Sequence, residues 1–361
     1  MAKRKSATIL LSRQNLRPSL QDSWVQNLIH AVDYVKSNGW TLNSSIGTPN
    51  WDIISACASI NKVPLRLFVS NNVSKESTQF LPSLNPLEIK RFSVSSVANS
   101  KSDLLEARDI TVVNSSDILI PISIRTNGIM SQLLNSAEKS GRPIINNFKI
   151  NYVSSKKLLA YSIDLAQISP TIRALSQKYL IHWTRSSNGP WPNESLLDFY
   201  RSILISNDYP RLAIDTLTKI LRDKVILASS KNMPGKVSTV SFSSLPPIEA
   251  IKLMKWRARY RQMTFEPYGI GISADAADTF GLRKVHYYDN EIEKLPESIP
   301  KWLTQSIGKI TDWRHECEYR HFGDLDLSII PMDKFMLVCR FKSESEKLKK
   351  ETGIESVQFC D

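Results

Sequence analysis

Trp40-Thr-Leu-Asn-Ser-Ser-Ile-Gly-Thr-Pro-Asn-Trp-Asp-Ile-Ile-Ser-Ala-Cys-Ala58 reads as a strand (Trp40 to Leu42), a polar turn (Asn43 to Asn50) and the opening of a helix that runs from Trp51 to Ile60. A strand entering a helix through a turn of Ser, Gly, Thr and Pro is half of a βαβ unit. Upstream, the apolar strand Ala7 to Leu11 runs directly into Ser12 and Arg13. Next comes a helix from Asp22 to Ser37, with Trp24, Leu28, Ala31, Val32 and Val35 on one face and Gly39 placed to end it. Downstream, Pro64 to Val69 supplies another strand. This order predicts a parallel sheet, so residues 1–150 are expected to form a Rossmann-like α/β N-terminal domain.

The rest of that domain follows the same logic. Glu106 to Asp109 precedes an apolar stretch, Ile110 to Val113, and Ser115 to Arg125 reads as a buried strand ending in a polar loop. Thr126-Asn-Gly128 turns the chain into a helix from Ile129 to Ser140, and Gly141 to Ile145 is expected to close with a strand. Between Ser70 and Asp103, a run rich in Ser, Asn and Pro is expected to break the alternation as a long excursion over the ligand edge. Parallel sheets bind ligands beyond the carboxyl ends of their strands, where free N–H groups and helix N-termini favour anions. Ser12 with Arg13, and Ser44 to Asn50, are such loops. Arg13 is equally readable as a surface charge, and Gly47 alone is a weak signal.

Composition sets the outer limits. At 361 residues the chain is too long for one ordinary core, and two domains are expected. No apolar run approaches the ~20 residues of a membrane span, and the basic N-terminus lacks a signal-peptide core, so a cytoplasmic protein is expected. Four scattered cysteines without a CxxC pair agree with that. The net charge of +12 is spread over both halves, the first more basic, and suits either solubility or a polyanionic partner.

Residues 151–175 read as a connector, and from 176 the composition shifts towards Trp, Pro and Arg. Residues 176–361 are expected to form an α+β domain. Leu180 to Arg185 and Lys236 to Ser244 read as strands, and so does Phe265 to Ile272 behind a turn. Asp312 to Arg320 alternates charge with aromatics, placing Glu316, Glu318 and Arg320 on one face if it is extended. Helices are expected at Glu194 to Ser206, Arg211 to Asp223 and Pro247 to Gln262. His182 beside Trp183 is either a reactive group or a hydrogen-bonded core histidine. The charged run around Glu318 is either a site or an ion-paired edge strand. Arg257, Arg259 and Arg261, interleaved with aromatics, suit a nucleic-acid groove or a solvated helix face. His286, His315 and His321 show no metal-ligand spacing, and no metal is expected.

Two resemblances add to this. The segments "NGW", "SSIGTPNWDIISACA", "RDITVVNSSDILIPISIRTNG" and "GRPII", in that order over residues 7–148, resemble the SLOG superfamily, which includes DprA and the LOG-type nucleotide hydrolases. The resemblance implies a nucleotide, nucleotide sugar or single-stranded DNA held by Ser12, Arg13, Ser44, Ser45, Gly47, Thr48, Arg125, Asn127 and Gly128. Where LOG enzymes carry PGGxGTxxE with a catalytic Glu, this chain has Arg125-Thr-Asn-Gly128, so binding without cleavage is expected there. The later segments resemble uncharacterised bacterial domains marked by "HWT…SFTE…PYGI…EWR", themselves similar to ADP-ribosyltransferases. That likeness implies NAD as a cofactor, with His182, Ser241, Tyr268, Glu316 and Glu318 as catalytic candidates and Thr184, Arg185 and Ser243 as cofactor contacts. It implies a role in phage defence or DNA modification. The alternatives are an enzyme acting directly on a DNA or RNA base, and a non-enzymatic DprA-like binder of single strands. A nucleotide or nucleic acid, DNA foremost, is the expected partner, no membrane is, and homo-oligomerisation is left open.

Overall fold

The computed structural model describes residues 4–71, 75–92, 101–153, 161, 163–175, 178–231, 233–289, 298–307 and 312–360. Five parallel strands, β1 (Ser6–Leu10), β2 (Thr41–Ser44), β3 (Leu65–Ser70), β4 (Glu88–Phe92) and β5 (Ile118–Pro121), lie in the order β4-β3-β2-β1-β5. The connecting helices are α1 (Ser23–Ser37), α2 (Pro49–Ile60), α3 (Lys75–Ser83) and α4 (Lys101–Asn114), with α5 (Ile129–Lys139) after β5. This is a Rossmann-like α/β sheet. The apolar runs of β1 and β5 are wholly buried, as a sheet covered on both faces requires. The five apolar positions picked out on α1 are all buried, and Val25 is buried with them.

Two expectations for this region are corrected. The stretch from Ser70 to Asp103 does not break the alternation: its described residues form α3 and the parallel edge strand β4. Residues 72–74 and 93–100 of it lie outside the described residues. The apolar stretch Ile110 to Val113, for which no element was expected, lies in the last turns of α4, and the strand expected at Gly141 to Ile145 shrinks to a single bridge between Ile144 and Leu119. Few ladder bonds are available there beyond the short strand β5.

The chain divides into two compact units, residues 1–156 with 189–210, and residues 157–188 with 211–361. Residues 189–210, expected in the second domain, belong to the first unit, where their helix α6 (Leu196–Ile205) packs on α2. Helix α6 starts where the Ser195 hydroxyl accepts the Asp198 amide at 3.0 Å. The packing explains why α2 is buried on nearly every side from Trp51 to Ala58.

The second unit contains a seven-stranded mixed sheet. Its strands are β6 (Tyr179–Trp183), β7 (Thr239–Ser243), β8 (Gly269–Ser273), β9 (Arg283–Lys284), β10 (Glu318–Phe322), β11 (Phe335–Phe341) and β12 (Glu355–Cys360). They lie in the order β9-β10-β7-β6-β8-β11-β12, antiparallel except for β11 with β12. β6 pairs with β8 over five residues, and β7 with β10 over five. β6 and β7, by contrast, share only the pair Ile181 and Ser243, so the sheet is split along that seam. Helices α7 (Ala213–Asp223) and α8 (Lys342–Thr352) add Leu217 and Leu348 to an apolar cluster with Leu180, Phe242, Ile270 and Leu337. A second cluster joins Ile181, Trp183, Val338 and Phe359.

Two segments differ from expectation. Pro247 to Gln262 is one helical turn (Pro247–Ala250), a 3-10 turn (Ile251–Leu253) and then a hairpin pairing Trp256 and Arg257 with Met263 and Gln262. Its three arginines therefore do not share a helix face. Asp312 to Arg320 is not one extended strand. A 3-10 turn holds Trp313 to Glu316, Cys317 adopts φ 46°, and only then does β10 begin. Among the described residues, no helix is long and apolar enough to cross a membrane.

Candidate functional site

At the seam between β6 and β7 lies a cavity of about 430 Å³, within the range usual for small-molecule sites. Of the residues proposed from sequence, His182, Arg185, Ser241, Ser243, Arg257, Glu316 and Glu318 all line it. Strand geometry brings them together. Ser241 and Ser243 alternate onto one face of β7, Glu318 and Arg320 onto the same face of β10, and the register sets Ser243 opposite Glu318 and Ser241 opposite Arg320.

His182 Nδ1 lies 2.8 Å from the Ser241 carbonyl. A carbonyl can only accept, so Nδ1 donates, and Nε2 of the neutral ring is left as an acceptor. Burial pushes the His182 imidazole down to about 4, with the Arg185 charge acting the same way and the Ser241 bond opposing. His182 is therefore neutral near pH 7. Its ring spans the seam at a point where the strands exchange no backbone pair.

Glu318 is held on both oxygens. Oε1 accepts from Ser241 Oγ at 2.6 Å and from Arg320 Nε at 2.8 Å, while Oε2 accepts from Arg320 Nη2 at 2.7 Å. Arg320 is 1% exposed, a burial tolerable for a guanidinium only when it is fully paired. Its remaining donors reach the Trp302 and Thr304 carbonyls and Gln305 Oε1.

Glu316 is placed differently. Its backbone carbonyl is anchored by Ser243 Oγ at 2.6 Å, while its side chain faces the cavity. Burial pushes the Glu316 carboxyl up to about 7, Glu318 adds to this, and Arg185, Arg257 and Arg320 pull back. The cavity thus combines a carboxylate in a fixed frame, a second carboxyl that changes protonation near neutrality, and a neutral imidazole acceptor. Its wall is aromatic on one side, with Tyr260 and Trp313 centred 6.4 Å apart and Arg257 over the Trp313 ring at 5.5 Å. Lys231 adds a further cation.

The remaining candidates lie elsewhere. Tyr268 is not in the cavity wall; its hydroxyl donates to Glu344 Oε1 at 2.9 Å. Thr184 is buried, bonds its hydroxyl to the Ala213 and Tyr268 carbonyls at 3.1 and 3.2 Å, and is not among the residues that line the cavity. Arg259 stacks over Tyr260 and Arg261 occupies the hairpin turn at φ 52°; neither lines the cavity. Arg320, Trp313, Tyr260 and Gln305 line the cavity as well and are not among the site residues expected from the sequence. The spacing Glu318-x-Arg320 on a strand was a legible signal for the first of them.

The loops of the first unit are also placed, at the carboxyl ends of β1, β2 and β5, but much of their polarity is already used. Ser44 bonds Ser55 at 2.8 Å, and Ser45 donates to the Phe68 carbonyl at 2.6 Å. Ser12 accepts the Arg125 amide at 2.9 Å, joining two of the loops. Gly47, at φ 93°, donates its N–H to Asp52 Oδ1 at 2.7 Å. A carboxyl group of the chain itself thus takes this loop amide. Thr48 is the N-cap residue of α2 yet makes no side-chain cap bond, and its buried hydroxyl oxygen has no hydrogen-bond partner among the described residues. Arg13, Arg125 and Asn127 are exposed, Asn127 at φ 61°, and Gly128 precedes α5.

No family model matches the chain, and no curated protein matches it. A solved structure with a partial likeness is the molybdenum cofactor binding protein from the phototrophic bacterium Rippkaea orientalis. It is 16% identical, over 42% of this chain and 80% of that one, with a TM-score of 0.29. A score that low carries no argument about this chain.

Proposed function

We propose that the second unit binds NAD and breaks its nicotinamide–ribose bond, in the manner of the ADP-ribosyltransferases it resembles. The observation that carries this reading is the convergence of His182, Ser241, Glu316 and Glu318 on one cavity at the seam of the split sheet. Cleavage leaves an oxocarbenium-like ribose, and a fixed carboxylate beside it favours that charge. Glu318, framed by Ser241 and Arg320, supplies it. Nε2 of His182 accepts a ribose hydroxyl, Arg185, Lys231 and Arg257 face the diphosphate, and Tyr260 with Trp313 offers a planar ring a stacking surface. The electron pair of the broken bond leaves with the nicotinamide nitrogen. The oxygen of water or of an acceptor hydroxyl bonds to C1′ as that bond breaks, and its proton passes to the ionised form of Glu316. In this scheme Tyr268 has no part.

Incubation of the protein with NAD should release free nicotinamide, read by chromatography. Glu318→Gln should lower the rate about 100-fold or more, the usual cost of losing a transition-state charge partner. Full activity in that variant would overturn the reading. Turnover of a DNA or RNA base with NAD inert would favour the alternative of a base-modifying enzyme.

For the first unit we propose a nucleotide or DNA partner at the carboxyl edge of the sheet, recognised and not cleaved. The observation favouring it is the exposure of Arg13 and Arg125 beyond the ends of the adjacent strands β1 and β5. Together the two units would then act in the cytoplasm in phage defence or DNA modification. Binding to single-stranded DNA across a salt series tests the first unit: removing each arginine should reduce the salt slope by about one. An unchanged slope would sink that role.

A further inference from the structure

We propose that Arg320 is the positioning residue of the site: it clamps Glu318 in one orientation, so that Glu318 acts as a fixed counter-charge and proton exchange in the cavity falls to Glu316. This rests on the reading that the cavity cleaves NAD. A guanidinium carries five N–H donors, and here each has an acceptor: two on Glu318, the Trp302 and Thr304 carbonyls, and Gln305 Oε1. The two bonds to Glu318 are side by side, the geometry that fixes a carboxylate plane as well as its position. Ser241 adds a third donor from the neighbouring strand. The Glu318 backbone is fixed too, its N–H donating to the Tyr287 hydroxyl at 3.1 Å.

Glu316 shows the opposite arrangement. Its anchor is the carbonyl, through Ser243, and the side chain borders the cavity. The groups around it come from every neighbouring element: His182 and Arg185 on and after β6, Lys231, Arg257 and Tyr260 of the hairpin, Tyr287, Cys317, and Glu318 with Arg320 on β10. Burial and the adjacent Glu318 favour its protonated form, and the cations favour the charged one. A group balanced in this way exchanges a proton readily near neutral pH. A carboxylate saturated by a guanidinium and a hydroxyl is built to stay in place.

Arg320→Lys keeps the charge and removes the fork. In steady-state nicotinamide release by the full chain, kcat should fall about 100-fold, the scale of a misplaced reacting group, with KM for NAD within about two-fold of wild type. The rise of kcat with pH through about 7, which Glu316 sets as the proton acceptor, should persist in Arg320→Lys and vanish in Glu316→Gln. Wild-type kcat in folded Arg320→Lys overturns the clamp. So does a fall in kcat that merely follows the folded fraction in a thermal melt. If Arg320→Lys does not fold, Gln305→Met decides, since it removes one guanidinium acceptor and leaves the pair itself; kcat should drop several-fold with the pH limb in place, and no change counts against the clamp. A wild-type protein that releases no nicotinamide overturns the NAD reading and this role with it. An active wild type with an indifferent Arg320→Lys overturns the clamp alone.

Discussion

The loops at the carboxyl edge of the first sheet and the seam of the second are both rich in serine, yet they use it in opposite ways. In the first unit, Ser44, Ser45 and Ser55 bond to one another and to backbone carbonyls, and the Gly47 amide is taken by Asp52. In the second, Ser241 and Ser243 also have partners, but those partners are the Glu318 carboxylate and the Glu316 backbone. One set of hydroxyls braces a turn; the other aims acidic groups into a cavity. A polar loop at a strand end is therefore a site only when the groups it holds still face open space.

The largest test of that contrast lies in the brace. Trp51 is wholly buried in α2, and its Nε1 donates to Asp109 Oδ1 at 2.7 Å, beside the ion pair of Asp109 with Arg108. Trp51→Ala should destabilise the first unit by about 3–5 kcal/mol, the cost of emptying an aromatic-sized core site. Calorimetric unfolding of wild type and variant measures it. A loss under about 1 kcal/mol would mean that the network around α2 is not what holds these loops.

What was legible in the sequence divides along the same line. The βαβ order was readable because apolar runs and turn residues are local signals, and β1, β2, β3, α1 and α2 fall within a few residues of where they were expected. The edge strand β4 was missed because Glu88-Ile-Lys-Arg-Phe92 is mostly exposed, with no apolar run to mark it. The hairpin at Trp256 to Met263 was read as a helix because its apolar spacing suits either form, and Arg261 at positive φ gives no sign in the sequence. At the cavity, His182, Ser241 and Glu318 were named from a resemblance, whereas Trp313 and Tyr260 enter through a turn and a hairpin tip whose positions depend on tertiary packing. Tyr268, named from the same resemblance, directs its hydroxyl to Glu344 instead of the cavity, a placement that depends on the packing of the helix carrying Glu344.

A mid-sized effect is expected at the seam. A Cβ on Gly269 would stand 2.8 Å from the His182 carbonyl and 2.8 Å from Ile181 Cγ2, so β8 can approach β6 this closely only with glycine there. Gly269→Ala should cost about 1–3 kcal/mol by overpacking. It should also lower nicotinamide release, because the displaced strand carries His182 away from Ser241. Unimpaired release in a destabilised variant would show that the seam tolerates movement and that His182 is not held as tightly as its bond suggests.

The finest comparison is between two buried carboxyls. Burial pushes Asp52 up to about 7, against the Gly47 amide and the Arg108 charge, much as it does Glu316. A carboxyl whose folded value lies above its unfolded one contributes stability that is complete below about pH 4 and is lost as pH rises through about 7. Asp52→Asn stays neutral and offers its carbonyl oxygen to the same amide, so it should lack that loss. Denaturant unfolding from pH 5 to 8 should show the wild type falling relative to Asp52→Asn, by at most about 1.4 kcal/mol per pH unit. Glu316 contributes with the same sign. His182, pushed down, contributes with the opposite one, present above about 6.5 and lost towards about 4. Both groups are common to the two proteins and cancel in the difference. Parallel curves would mean that Asp52 is charged at neutral pH, and the loop after β2 would then be closed by a full negative charge and not by a titrating one.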